Sequence, residues 1–185
     1  MEKIRCGWCS KDDLYRSYHD NEWGKPVYDD ETIFEFLILE SFQAGLSWYT
    51  ILSKRDHFRK AFDHFNYKKM ALYTDKKVEE LMNNPGIIRN RLKIVAAITN
   101  AQKFLEVQKE FGSFSKYIWG FISGVPIDNM PKALSDVPAT TEISDVISKD
   151  LKKRGFKFMG STVVYAHMQA TGMVNDHIES CFIRL

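Results

Sequence analysis

Residues 151–168 read LKKRGFKFMGSTVVYAHM. The stretch has the outline of a helix, a short hairpin bounded by Gly155 and Gly160, and a second helix. The two glycines supply the permissive backbone positions such a hairpin needs. Phe156, Phe158 and Met159 are spaced to anchor the turn in a core. The second helix points the N–H groups of Gly160, Ser161 and Thr162 outward, where they suit an anion. Lys152, Lys153, Arg154 and Lys157 surround that point, and Lys149 lies one turn upstream.

A solvated helix end explains a basic run equally well, so charge alone decides nothing. Glycine spacing, apolar anchors and basic rim together point to a helix-hairpin-helix, which grips a nucleic-acid backbone without reading its bases. A second run, Arg89, Arg91 and Lys93 after PGII, extends the expected footprint.

Outward from this hairpin the chain reads as helix almost throughout, an all-α protein. Residues 30–43, DETIFEFLILESFQ, are apolar on nearly every side, as a helix buried in a core is. A second helix is expected from about Ser47 to Phe65, and Thr74 is placed to cap a short one ending before Pro85. Residues 89–110 carry Ile94, Ile98, Ala101 and Leu105 at helical spacing, and Ser113 caps the next helix through Phe121. Thr141 opens a helix with Ile143, Val146, Ile147 and Leu151 on one face. The long loop between, residues 123–141 with Pro126, Pro131 and Pro138, holds nothing that looks catalytic.

The chain has 185 residues, 44% hydrophobic and 27% charged, values of a globular protein that buries its own core. We read it as one domain, with the two ends in one lobe and the central helices in another. The longest apolar stretch is interrupted by Glu35 and ended by Glu40, which excludes a membrane span. MEKIRCGWCS lacks the apolar region of a signal peptide, so a cytoplasmic protein is expected. The net charge of +2 argues against a polyanionic partner only until its placement is seen. Residues 1–50 hold 5 Lys/Arg against 10 Asp/Glu, and residues 51–185 hold 21 against 14.

Cys6, Cys9 and Cys181 are an odd set, improbable as a disulfide framework in such a chain. His177 and Cys181 lie one helical turn apart and can face one point. Cys6 and His19 have twelve residues between them near the other end. Two thiolates and two imidazoles make a tetrahedral set suited to one structural Zn2+, which would clip the chain ends together. Cys9 is a rival ligand, and Cys6-x-x-Cys9 also reads as a redox pair, though without the βαβ pattern such pairs keep.

The acidic N-terminal part is also aromatic: Trp8, Tyr15, Tyr18, Trp23, Tyr28, Trp48 and Tyr49. An acidic aromatic pocket beside a basic grip is what a cationic base flipped out of DNA needs. Glu40 ends an apolar run, so its side chain leaves water, where an unpaired carboxylate is costly. It accepts a hydrogen bond from a ligand or from an internal partner. The turn AGLS puts Leu46 at an apolar tip able to wedge into a base stack.

C-G-W at 6–8, Y-x-x-Y-H-D-N-E-W-G-x-P from Tyr15 to Pro26, L-E-x-x-Q-A-G-L-S-W from Leu39 to Trp48, P-G-I-I-R-N-R, K-K-R-G-F-K-F-M-G and N-D-H-x-x-x-C stand in this order. Together they resemble the bacterial DNA-3-methyladenine glycosylases of the constitutive type, over about residues 4–183. The resemblance implies a helix-hairpin-helix glycosylase fold with a bound zinc, acting as a monomer on double-stranded DNA that contains alkylated adenine. It implies Cys6, His19, His177 and Cys181 as zinc ligands, leaving Cys9 without a role. It implies Glu40 as the catalytic carboxylate that hydrogen-bonds the methylated base, and Trp8, Tyr15, Tyr18 and Trp48 around that base. Gly45 and Leu46 match the loop filling the gap left by the flipped nucleotide. Lys153, Arg154, Gly155, Lys157, Gly160 and Ser161 are the remaining expected DNA contacts.

A purine methylated at N3 is already cationic, so its glycosidic bond breaks with little help from a general acid. Glu40 with a water is expected to serve, rather than Asp176, and no lysine is placed for Schiff-base chemistry. Two other classes compete: a zinc-clipped DNA-binding module without activity, and a hydrolase of free nucleosides that has no use for the basic hairpin.

Overall fold

The computed structural model describes residues 3–184. Ten α-helices occur among them: α1 Asp13–Asn21, α2 Asp30–Gln43, α3 Trp48–Leu52, α4 Arg55–Ala61, α5 Tyr67–Met70, α6 Asp75–Met82, α7 Arg91–Phe111, α8 Phe114–Gly120, α9 Glu142–Lys153 and α10 Ser161–Ala170. Two short strands, β1 Ile127–Asp128 and β2 Val174–Asn175, pair in parallel. The fold is mostly helical, as expected, with this one small sheet beyond it.

Helix starts follow the side chains available to cap them. Asp29 accepts from the Thr32 N–H at 2.7 Å, Ser113 from the Lys116 N–H at 3.0 Å, and Thr141 and Ser144 cap each other reciprocally at 3.3 and 2.8 Å. Thr74 precedes α6 but makes no side-chain cap, and α7 starts at Arg91 because Asn90 caps it instead. The expected single helix from Ser47 to Phe65 is divided at Ser53–Lys54 and ends in a turn at Asp63–Phe65. The division lets Phe58 and Phe62 meet Phe42 with centroids 4.9 and 5.7 Å away. Two short helices, α1 and α5, are additional to the sequence reading.

Helix α2 runs through the centre and packs on α3, α7, α8 and α10. Ile33, Phe34, Ile38, Leu39 and Phe42 are wholly buried, so no face of it is polar except around Glu35 and at its ends. Asp30 in its first turn accepts from the Phe114 and Ser115 N–H groups at 2.9 and 2.7 Å, which ties α8 to it. On α9 the buried positions are Ser144, Ile147, Ser148 and Leu151, at i, i+3, i+4 and i+7. Val146 is off that stripe and lies exposed, contrary to expectation. A smaller cluster, Cys6, Tyr18, Trp23, Phe36, Leu52, Ala170 and Cys181, joins the two chain ends, and Trp48 packs on both it and the main core.

Gly172 shows what this joining requires. Its φ is +67°, and a Cβ there would stand 2.2 Å from the carbonyl carbon of Lys25. Only glycine lets residues 25–27 cross so closely, with the Val27 N–H donating to the Thr171 carbonyl at 3.0 Å.

Candidate active site and metal centre

Glu40 on α2 faces a cavity of about 220 Å³ lined by Trp8, Tyr15, Tyr18, Trp23, Trp48 and Gln169 among others. Trp8 lies edge-on to Tyr15 at 4.9 Å and to Trp23 at 5.0 Å, and Tyr18 tilts against Trp48 at 5.3 Å. All four expected base-pocket aromatics therefore meet at one place with the carboxylate. Trp23, one of the aromatics noted in the sequence, joins them, and so do Gln43, Ala166 and Gln169, which had not been singled out. Leu134 and Val137 close one side, so the proline-bearing loop does shape the site. Tyr28 lies elsewhere, exposed and tilted against Trp119. Tyr49 sits behind Tyr15 and donates its hydroxyl to Asp12.

Two buried polar atoms have no partner among the described residues: Glu40 Oε2 and Trp48 Nε1. Both residues line this cavity. Glu40 is 3% exposed, and burial alone raises its carboxyl from the ordinary 4.5 to about 8. Desolvation, helped by the Glu40 charge, likewise pushes the Tyr18 hydroxyl well above its usual range. The site thus holds an acceptor and a donor in an apolar setting, where each unmade hydrogen bond costs roughly 1–3 kcal/mol. A ligand presenting a complementary donor and acceptor relieves both.

Asp176 is buried and satisfied: it accepts from Asn129 at 2.7 Å, Tyr165 at 2.7 Å and Gln169 at 2.8 Å. It is a structural hub, and the choice of Glu40 over Asp176 agrees with this.

The four metal candidates converge although up to 175 residues separate them. One donor atom from each of Cys6, His19, His177 and Cys181 lies within 4.8 Å of the others, all buried. Cys6 Sγ and Cys181 Sγ stand 3.7 and 3.5 Å from His177 Nδ1, and Cys181 Sγ stands 3.5 Å from His19 Nε2. Ordinary Zn–S and Zn–N lengths in a tetrahedron require S···N edges of about 3.6 Å, so the donor set fits that ion. The outer nitrogens are also held, His19 Nδ1 by Asp20 at 2.8 Å and His177 Nε2 by the Trp23 carbonyl at 3.0 Å. Burial lowers both histidines, His177 to about 4, which keeps the imidazoles neutral. Cys9 is excluded from the set: its thiol donates to the Cys6 carbonyl at 3.1 Å.

The basic hairpin leads into α10, which lines the Glu40 cavity with Ala166 and Gln169. Helix α9 ends at Lys153, Gly155 takes φ +94°, and α10 starts after Gly160 without a side-chain cap. Asn100 of α7, wholly buried, clamps the hairpin by accepting from the Lys157 N–H at 2.7 Å and donating to its carbonyl at 3.0 Å. Phe156 and Met159 are buried anchors, but Phe158 is 38% exposed with φ +55°, so it is not one. Lys152, Lys153 and Lys157 are exposed.

Four residues of the expected DNA footprint are otherwise engaged. Arg154 pairs with Asp150 and Glu110 at 2.7 Å each and lies over Phe111 and Tyr117, which makes it a structural brace. The Ser161 hydroxyl bonds Ser144 at 2.8 Å, leaving its backbone N–H as the outward group. In the second basic run Arg91 pairs with Glu79 at 2.6 Å and Lys93 is buried, so Arg89 alone stays exposed and without an ion pair among the described residues. Apart from Asp150, one helical turn before Arg154, local spacing cannot reveal such partners, because they come from other elements. Gly45, with φ +80°, and the 40% exposed Leu46 form an apolar tip beside a smaller cavity between α2 and α10.

A family model described as methyladenine glycosylase matches residues 8–184. The chain is 47% identical over 177 residues to DNA-3-methyladenine glycosylase 1 of Escherichia coli, covering 96% of this chain and 95% of that one. It is 46% identical over 177 residues to the DNA-3-methyladenine glycosylase of Haemophilus influenzae, covering 96% of each. A solved structure of 3-methyladenine DNA glycosylase I from Staphylococcus aureus, determined for its recognition of 3-methyladenine, superposes with a TM-score of 0.94 at 38% identity, over 98% of this chain and 96% of that one.

Proposed function

This chain belongs to the methyladenine glycosylase family, and we propose that it hydrolyses the N-glycosidic bond of 3-methyladenine flipped out of alkylated duplex DNA. The step opens base-excision repair, releasing the free base and leaving an abasic site. The observation that carries this reading is the pair of unpartnered buried atoms, Glu40 Oε2 and Trp48 Nε1, on two residues that line an aromatic cavity. A methylated adenine brings an amino donor for the one and ring nitrogen acceptors for the other.

In this reading Trp8, Tyr15 and Tyr18 hold the base by its faces, where their π-systems favour a cation, and Trp48 meets its edge through Nε1. Glu40 accepts from the base edge and, as the catalytic carboxylate, favours the charged form, since an incoming cation reverses the burial effect on its proton. When the C1′–N9 bond breaks, its electron pair returns to the cationic ring and yields a neutral base. Water adds its oxygen to C1′ and gives up a proton. Gly45 and Leu46 fill the gap in the duplex. Lys153, Lys157 and the amides of Gly160 and Ser161 hold phosphates, while Gly155 and Arg154 keep the helix-hairpin-helix in shape for that contact.

We assign one structural Zn2+ to Cys6, His19, His177 and Cys181. With four side-chain ligands the ion has no position for water or substrate and serves as a tie between the chain ends. A single-domain monomer with reduced thiols, working in the cytoplasm, accords with this assignment.

The test is incubation with methylated duplex DNA and chromatography of what is released. Appearance of 3-methyladenine is the expected result. Absence of any free base, from folded protein, overturns the proposal.

A further inference from the structure

Lys93 belongs to the run that the sequence assigns to phosphate contacts, yet it is 6% exposed. Its ammonium donates to the Phe42 carbonyl at 2.8 Å and to the Ala44 carbonyl at 2.5 Å. No carboxylate pairs with it among the described residues. Those carbonyls end α2, where acceptors lack helical partners and the dipole is negative. Ala44 has left the helix at φ −46° and ψ 115°, Gly45 follows at φ +80°, and the Leu46 N–H returns to the Gln43 carbonyl at 2.6 Å. A buried cation costs free energy unless it satisfies groups that otherwise stay unpaired, and here it closes the turn that carries Leu46.

The same helix holds the hairpin. Asn100, seven residues and two turns after Lys93, shares its face of α7 and clamps Lys157. One rigid element of 21 residues therefore fixes the distance between the Leu46 tip and the phosphate-binding turn. We propose that Lys93 is a positioning residue, which anchors the Leu46 turn to α7 so that the tip enters the duplex in register with the hairpin's grip. Glu40 lies within α2, before the residues that Lys93 holds, and is placed by the helix itself. The inference rests on the proposed glycosylase activity.

The test compares Lys93→Met and Lys93→Arg with the unsubstituted chain on alkylated duplex DNA, on the same alkylated DNA as a single strand, and in calorimetry with free 3-methyladenine. A single strand needs no wedge to expose its base. Lys93→Met should lose about 10- to 100-fold in kcat/KM on duplex, the range that a misplaced element costs. On single strands and in free-base affinity it should stay within about twofold, as for independent sites. Lys93→Arg, which keeps charge and donors, should recover most of the duplex rate. Undiminished duplex activity in Lys93→Met overturns the proposal, and so does an equal loss in all three readouts. If Lys93→Met does not fold, Lys93→Gln, which keeps one donor, is put through the same comparison. Failure of the unsubstituted chain to release base from either DNA counts against the glycosylase reading instead.

Discussion

Replacing Glu40 with Gln isolates the buried carboxyl. The shape is kept, and one carboxyl oxygen becomes an amide NH2 that does not titrate. In the folded chain Glu40 holds that proton to about pH 8, against 4.5 ordinarily, because burial penalises the charge. Between those values the folded state binds more protons than the unfolded one, so raising the pH favours unfolding. This contribution is fully present below 4.5 and is lost as pH rises toward 8. One proton corresponds to about 1.36 kcal/mol per pH unit, so from pH 5.5 to 8 the loss is about 3 kcal/mol. His19, His167 and His177, lowered by burial, act in the opposite direction, destabilising the fold as pH falls. They are common to both proteins and cancel in the difference. Urea unfolding of both chains at pH 5.5, 6.5, 7.3 and 8, without ligand, should therefore show Glu40→Gln gaining about 3 kcal/mol on the unsubstituted chain across the range. Parallel curves would refute the reasoning, since they would mean that Glu40 titrates alike folded and unfolded.

Cys181→Ser should reduce bound zinc from one ion per chain to none, with faster hydrogen exchange at Arg5–Cys9 and His177–Arg184 and unchanged protection in the middle of α7; retained metal would contradict the assigned ligand set. Lys153→Ala should lower the slope of log affinity against log salt on duplex DNA by about 1. Arg154→Ala should leave that slope alone and cost about 1 kcal/mol of stability, because its charge is spent on Asp150 and Glu110; a reversed pattern would restore Arg154 to the interface. Gly172→Ala should destabilise by more than about 2 kcal/mol in denaturant unfolding, since its Cβ meets the Lys25 backbone at 2.2 Å; a neutral substitution would show that residues 25–27 can move away.

The legible part of this protein was local or periodic. The apolar run of α2 identifies a buried helix, and Ser113 and Thr141 mark helix starts, because each cap needs only the next three residues. Gly155 and Gly160 frame the hairpin for the same reason. His177 and Cys181, four residues apart, advertise a ligand pair, although a non-helical turn and not the expected helical one brings them together. Glu40 at the end of an apolar stretch is conspicuous for the free energy that an unpaired carboxylate costs there. The sequence by itself therefore determined the helical class, the residues with chemistry to offer and, through the ordered motifs, the family.

The tertiary structure decided which of those residues are free. Arg154, Arg91 and Lys93 look alike as basic side chains, but Glu110, Glu79 and the end of α2 claim them from distant positions. Asn100 gave no local signal, and its role exists only because α7 passes the hairpin. Leu134 and Val137 line the cavity because the long loop folds back over it. The meeting of Cys6 and His19 with His177 and Cys181 is likewise a property of packing. Hydrogen bonds and ion pairs reach only a few ångströms, so a side chain's partner is set by which elements the core brings together, whatever their separation along the chain.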